Sequence, residues 1–399
     1  MSANAPSLRV AIIYPGSFPW NRGVAQLHDS LKNIGNNVVV LARSSEKRLD
    51  GTENSNIACI SMRKSDSFLA RLKTLPVAIN PMWRMFVHHN LIKFKPDCLF
   101  VRETVLLAQA FSVSKSLGIP LFVDMRENMG LLFSTTRGKG ISGIFRNERF
   151  INKVEKAYLK NCAHIFTVTE ELSEWVIQEY GISNGRVSVL GNYPAADFIS
   201  ASEKWNLTNK KELNFPVRVV YAGNLSEKRG IQDIIKALAI VRRKSACTLT
   251  VIGEGPYLSI LQSIAVKENV EKHVDFPPLV KPEKVPETLA RFDIGLCPYL
   301  VNPFTDQTMP GKLFEYMCVG LPVLCSARKP VSRVVEEARC GIIYNSREPR
   351  EIADKLLSMI DNAVDSLNMG ENGRKTVLEK YNYGYSQTVL ERVLMHHFT

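Results

Sequence analysis

Residues 217–241, VRVVYAGNLSEKRGIQDIIKALAIV, pass from a β-branched apolar run, through a polar loop, into apolar positions that recur at helical spacing. A strand that feeds a helix in this way is the repeating unit of a parallel sheet. The same alternation extends to both ends of the chain. Before it, strands are expected at Arg9–Tyr14, Asn37–Leu41, Cys98–Arg102, Pro120–Asp124, His164–Thr169 and Val187–Leu190. From here on they are expected at Val217–Ala222, Thr248–Ile252, His273–Phe276, Ile294–Pro298, Val323–Ser326 and Gly341–Tyr344. The fold class is therefore α/β, with two Rossmann-like doubly wound domains in tandem.

A chain of 399 residues is too long for one ordinary core, and two domains divide it naturally. The polar, weakly periodic stretch from Gly191 to Phe215 reads as the linker, with a boundary near residue 205. This gives an N-terminal domain over 1–200, a C-terminal domain over 205–380 and a terminal helix over 381–399 that packs back on the first domain. The eight cysteines are scattered without a C-x-x-C pair, which points to buried thiols in a reducing cytoplasm rather than to disulfides or a metal site. No apolar run approaches the roughly 18 residues that span a bilayer, and MSANAPSLRV lacks an apolar signal core, so the reading is a soluble, unsecreted protein. A formal charge of +12 calls for an anionic partner such as a phosphorylated substrate or a lipid surface, or is only a basic surface.

In open parallel sheets, ligands sit beyond the carboxyl ends of the strands, where loops enter helices. Three such loops stand out. In GNLSEKRG, Lys228 and Arg229 lie at or just before a helix N-terminus, where the helix dipole already carries positive partial charge. An anion bound there would relieve the conflict, and two solvated side chains beside a Ser226 cap are the plain alternative. In TMPGKLFEYMCVGLPVLC, Thr308 can cap a helix that Pro310 opens, so Lys312 repeats the conflict in its first turn. Glu315, one turn on among apolar residues, either accepts from sugar hydroxyls or forms a structural ion pair. In VIGEGPY, Gly253 and Gly255 either admit a ligand to the backbone or make a tight turn.

Together these residues resemble glycosyltransferase family 4, the retaining, nucleotide-sugar-dependent enzymes of GT-B fold. YAGNLSEKRG is similar to that family's G-R-L-x-x-x-K-G, VIGEGP to its G-x-G-P loop, and PGKLFEYMCVGLPVL to the second half of its E-x7-E region. Weaker likenesses lie in the first half, at YPGSFPWNRGVAQLHDSLKNIGNNVVVLA, AHIFTVTEEL and VLGNYP. The resemblance implies two domains facing a central cleft. It also implies that Arg229 and Lys312 bind the donor diphosphate, that Glu315 holds the ribose, and that Leu279 and Val280 meet the base. Gly16, Gly23, Asn224, Gly253, Glu254, Gln307 and Thr308 complete the implied donor site.

Three departures bear on activity. Gln307 stands where the first glutamate of E-x7-E holds the donor sugar, Asn224 replaces an arginine, and Asp124, Arg126 and Glu127 stand where many members have a histidine. These last three are acceptor-side candidates, or else caps and ion pairs. The expected reaction moves a sugar from a nucleoside-diphosphate sugar to a glycan or lipid-linked hydroxyl, with no metal and no other cofactor. Alternatives are a nucleotide-sugar epimerase of similar fold and a catalytically silent binding protein. Residues 61–97 mix Arg63, Lys64, Arg71, Lys73, Arg84, Lys93 and Lys95 with Phe68, Leu69, Leu72, Leu75, Trp83 and Phe86. Such a stretch either docks on anionic lipid at the inner face of a membrane or packs on the first sheet with its basic face in water. Nucleic acid is not expected, because no recognition helix or aromatic RNA-binding motif organises the basic residues.

Overall fold

Along the first strand, odd and even residues enter different cores. Val10 and Ile12 pack with Val38, Val40, Cys98 and Phe100, whereas Ala11 and Ile13 pack with Val39, Leu41, Leu99 and Val101. A period of two sends successive side chains to opposite faces, and both faces are buried under helices, as in other parallel sheets. Each fully buried Val, Leu or Ile contributes roughly 1.5–3 kcal/mol. The structure is a computed structural model that describes residues 7–18, 22–44, 57–61, 81–134, 147–208, 210 and 212–399.

Two units make up the chain, one of Met1–Gly191 with Ser386–Thr399 and one of Asn192–Tyr385. In the first, strands β1 (Arg9–Ser17), β2 (Asn37–Ser44), β3 (Ile57–Ser61), β4 (Cys98–Arg102), β5 (Leu121–Met125), β6 (His164–Thr167) and β7 (Val187–Val189) form one sheet. Its order is β3-β2-β1-β4-β5-β6-β7, and the paired strands are parallel. The second unit holds β8 (Val217–Ala222), β9 (Cys247–Ile252), β10 (Val274–Asp275), β11 (Ile294–Cys297), β12 (Val323–Ser326) and β13 (Gly341–Tyr344). These too are parallel, in the order β10-β9-β8-β11-β12-β13. The strand order reverses between β1 and β4 in one sheet and between β8 and β11 in the other. Those two reversals are where such sheets open a crevice for a ligand.

Several details differ from the sequence reading. β3 was not expected, since IACIS is a short edge strand in polar surroundings, and β1 continues past Tyr14 to Ser17 with a shift of register after Ile13. The division into units falls after Gly191 rather than near 205. Helix Ala196–Glu203 forms inside the expected linker because Phe198 enters the core of the second unit. The buried Asp293 carboxylate then fastens the rest of that stretch, accepting from Lys210, from Asn214 and from the Arg218 amide.

The C-terminal helix, Tyr383–Phe398, places Val389, Leu390, Val393 and Leu394 in the core that holds Val10, Phe100 and Phe122. Helix Pro81–Phe94 buries Trp83, Val87 and Leu91 against Ala11 and Val101, and Phe86 meets the Trp83 ring at 5.7 Å. Trp83 therefore belongs to the core and not to a lipid-docking set, while Arg84, Lys93 and Lys95 are exposed. The other docking candidates, from Arg63 to Leu75, lie outside the described residues. Among the described residues no helix is long and apolar enough to cross a membrane.

Candidate functional site

Gly230 closes the loop after β8 at φ 70°, and a Cβ there would collide with the carbonyl oxygen of Pro298. Only glycine allows both the backbone turn and this approach. The loop is thereby pressed onto the end of β11, where the Leu300 amide donates to the Lys228 carbonyl at 3.0 Å. Arg229 comes to rest over the ring of Tyr299, its guanidinium carbon 4.5 Å from the centroid. On the same ring, at 4.9 Å, lies the guanidinium of Arg328, which follows β12. A cation–π contact is worth about 2 kcal/mol when desolvated, as for Arg328, and about 0.5–1 kcal/mol when exposed, with the half-buried Arg229 between these.

Arg328 is 1% exposed. Its Nε and Nη2 donate to the Thr305 carbonyl at 3.1 and 2.7 Å, Nη2 also reaches the Thr308 carbonyl, and Nη1 is buried with no hydrogen-bond partner. Burial holds its pKa below the usual arginine value. Burial likewise raises the Tyr299 phenol, against the opposing pull of Arg229 and Arg328, and Glu315 is close enough to add to the rise. Arg229 and Arg328 thus share the ring of Tyr299.

Helix Gly311–Val319 supplies the remaining pair. Lys312 Nζ donates to Glu315 Oε2 at 2.7 Å, with the two side chains 29% and 10% exposed. The conflict of a cation in the first helical turn is therefore relieved inside the chain, and the ion-pair alternative for Glu315 is the one present. Nor does Thr308 cap this helix: Pro310 stands at the cap without a side-chain bond, while the Thr308 carbonyl is held by Arg328. Ser226 makes no capping bond either.

The glycines of VIGEGPY also serve packing. A Cβ on Gly253 would strike the Gly223 carbonyl oxygen, and one on Gly255 would strike that of Leu225. The two loops interlock through Leu225 N to Glu254 O at 2.9 Å and Asn224 Nδ2 to Glu254 O at 3.4 Å. Asn224 and Glu254 are exposed at this edge, Gln307 ends the short turn Thr305–Gln307, Leu279 is exposed, and Val280 packs partly on the core.

In the first unit, the reversal between β1 and β4 is bridged by Arg102. Its Nη1 donates to the Gly23 carbonyl at 3.1 Å and to Asp124 Oδ2, and a Cβ on Gly23 would collide with the guanidinium. Gly16 lies within β1, against the Tyr14 side chain. Arg126 Nη1 donates to Asp124 Oδ1 at 3.3 Å and to the Leu190 carbonyl at 2.6 Å. Asp124 is accordingly engaged by two guanidiniums, so the ion-pair alternative is present at this residue. Glu127 is half-buried nearby and, with Arg126, influences the charge of Glu103. Among the described residues no three His, Cys, Asp or Glu side chains cluster so as to hold a metal ion.

Sequence reasoning passed over Tyr299, Arg328, Arg102 and Glu103. Arg328 carries the signal that singled out Arg229 and Lys312, a cation between a strand and a helix N-terminus, and could have been found by it. Tyr299 could not, because only the fold shows that both arginines converge on it.

Residues 203–376 match the family model described as Glycosyl transferases group 1. The amylovoran biosynthesis glycosyltransferase AmsK of Erwinia amylovora is 26% identical over 194 residues, which is 48% of this chain and 48% of that protein. Among solved structures, sucrose-phosphate synthase from Thermosynechococcus elongatus superposes with a TM-score of 0.76 at 14% identity, covering 98% of this chain and 99% of that one. Anabaena Alr3699/HepE in complex with UDP gives a TM-score of 0.73 at 15% identity, over 98% and 100% of the two chains. The architecture of this chain is that of GT-B glycosyltransferases.

Proposed function

We propose that this chain, an enzyme of glycosyltransferase type with the GT-B fold, transfers a sugar from a nucleoside-diphosphate sugar to a hydroxyl of a glycan or lipid-linked acceptor, with retention at the anomeric carbon. The observation that carries the reading is the pair of arginines on Tyr299, in loops at the carboxyl ends of β8 and β12, with the Lys312–Glu315 pair on the helix that leads into β12. Sugar transfer passes through an oxocarbenium-like state while negative charge grows on the departing diphosphate. Cations fixed before the reaction stabilise that charge more than they stabilise the bound donor, which lowers the barrier.

Arg229, oriented by Tyr299, faces the diphosphate in this reading. Donor binding exchanges the Lys312–Glu315 pair for two new contacts, Lys312 to phosphate and Glu315 to ribose hydroxyls. The acceptor hydroxyl attacks from the face the leaving group departs, and its proton passes to the departing phosphate oxygen. A solved relative of the same fold that holds UDP supports a nucleotide in this place.

Thermal unfolding with UDP, GDP, ADP and CDP tests the reading, since a ligand that binds only the folded state at a hundred times its Kd adds about 2.7 kcal/mol. One diphosphate is expected to raise Tm by several degrees, and Arg229→Ala and Lys312→Ala each to abolish most of the rise. A protein whose Tm none of the four moves is not a nucleotide-sugar enzyme.

A further inference from the structure

Helix Pro81–Phe94 turns Trp83, Val87 and Leu91 into the core of the first unit and leaves Arg84, Met85, His88, His89, Ile92 and Lys93 exposed. Each residue advances about 100° around a helix axis. The middle of the outward side therefore lies opposite Trp83, Val87 and Leu91, and Met85, His89 and Ile92 fall closest to it. Met85 and Ile92 are seven residues apart, so they stand within about 20° of each other on one stripe, two turns apart. They are 67% and 50% exposed. Arg84 and Lys93 fall on the two flanks of that stripe, and the exposed Lys95 follows the helix.

No acid in this segment answers its cations. Residues 81–96 contain no aspartate or glutamate, and Asp97, next in the chain, is paired with Arg9 at 3.1 Å. The core takes its apolar side chains from the opposite stripe, so Met85 and Ile92 add little to the packing of the sheet. A helix that only packs on a sheet carries polar residues where these two stand. An aliphatic centre with cations on both flanks is the pattern of a helix that lies in a lipid–water interface.

We infer that this face of helix Pro81–Phe94 docks on an anionic lipid surface, with Met85 and Ile92 entering below the headgroups and Arg84, Lys93 and Lys95 lying against lipid phosphates. The long stems of arginine and lysine let the flanking charges reach the headgroups while the centre sinks. The face is convex and about 21 Å long. A bilayer moulds to such a surface, whereas a stable protein partner needs about 800 Å² of complementary area on each side. Nucleic acid fits it less well, because Met85 and Ile92 offer no ring on which a base could stack. Packing on the sheet and docking on lipid, which the sequence posed as alternatives, are thereby assigned to opposite sides of one helix. The inference goes beyond the transferase reading and does not rest on it.

Flotation of the full chain with vesicles tests it, with no donor or acceptor present. The vesicles are phosphatidylcholine alone, or phosphatidylcholine and phosphatidylglycerol in equal parts. Wild type is expected to bind the anionic vesicles at least tenfold more strongly, and to be released at about 0.5 M salt, where charges are screened beyond roughly 4 Å. The double variant Arg84→Glu, Lys93→Glu is expected to bind about 25-fold more weakly or worse, roughly fivefold for each cation lost. The double variant Met85→Ser, Ile92→Ser is expected to lose about tenfold. All four side chains are exposed, so both variants are expected to keep the wild-type Tm and its shift with nucleotide. Wild type that floats with neither vesicle, or equally with both, overturns the inference. So do variants that bind anionic vesicles as tightly as wild type, because the contact then lies elsewhere on a chain of net charge +12. Wild type that ignores vesicles but self-associates, and becomes monomeric with Met85→Ser, Ile92→Ser, makes this face a protein interface and overturns the inference too. Each of these results leaves the nucleotide test of the transferase reading untouched.

Discussion

Lys312 and Glu315 stand one helical turn apart and hold each other at 2.7 Å. Such i,i+3 pairs on open helix surfaces are worth about 0.2–0.5 kcal/mol, but Glu315 is only 10% exposed and its loss of Lys312 leaves a poorly solvated charge. A double-mutant cycle of Lys312→Ala and Glu315→Ala, read by chemical unfolding, is expected to give a coupling of about 1 kcal/mol without nucleotide. With saturating nucleoside diphosphate that direct coupling is expected to shrink toward zero, because each partner is then engaged by the ligand. A coupling that survives saturation means the pair is structural. The residue types and spacing of this site were legible in the sequence, since a cation at a helix N-terminus violates a local rule. So was an ion pair as one of the two roles open to Glu315, but Tyr299 as the shared ring and Arg328 as the buried third cation were not, because they depend on contacts between strands far apart in the chain.

Between β11 and helix Gly311–Val319, the turn Thr305–Gln307 and the residues after it are held by one side chain from the next strand's loop. Arg328 binds the carbonyls of Thr305 and Thr308 and stacks on Tyr299, so a single guanidinium fixes both the approach to Lys312 and the ring under Arg229. Lysine cannot reproduce a planar fork that bonds two carbonyls and stacks. Arg328→Lys is expected to lower unfolding free energy by about 2–3 kcal/mol, since bonds to charged groups are worth about 1.5–3 kcal/mol. Nucleoside-diphosphate affinity, measured by titration calorimetry, is expected to fall at least tenfold, although Arg328 Nη1 is too buried to touch the ligand. Unchanged affinity would detach this clamp from the donor site. At this scale the sequence was more informative, because the strands of parallel sheets are continuous apolar runs. Twelve were read, and the one omitted among the described residues, β3, is a five-residue edge strand. Helix Ala196–Glu203 was missed for a related reason: the stretch around it is polar and weakly periodic, and within the helix only Phe198, Ile199 and Ser202 turn inward.

Over the whole molecule, the last helix returns to the first unit and brings histidines into contact with the start of β6. His164 is 5% exposed, its Nε2 lies 2.9 Å from Ser188 Oγ, and its ring is 6.3 Å from that of His397, which packs edge-on against Phe122 at 5.2 Å. Burial, followed by the charges of His397, Arg186, His396 and Arg392, lowers the His164 pKa to about 4. A histidine depressed in the folded state contributes its full stability above the unfolded pKa of about 6.5 and loses it as pH falls toward 4, where the native state also protonates. Over that window the loss is on the order of 3 kcal/mol. Glu103 and Glu155, raised by burial to about 7 and about 6, act with the opposite sign, because their protonation favours the folded state as pH falls. The raw pH profile therefore mixes both effects, and the difference between wild type and His164→Gln separates them. Glutamine keeps a hydrogen-bonding group near Ser188 but cannot take up the proton. Unfolding free energies measured from pH 7.5 to 4.5 are expected to show wild type losing about 2–3 kcal/mol more than the variant, nearly all of it below pH 6.5. Parallel profiles would mean that His164 is solvated in the folded protein, and that the C-terminal helix does not seal the start of β6.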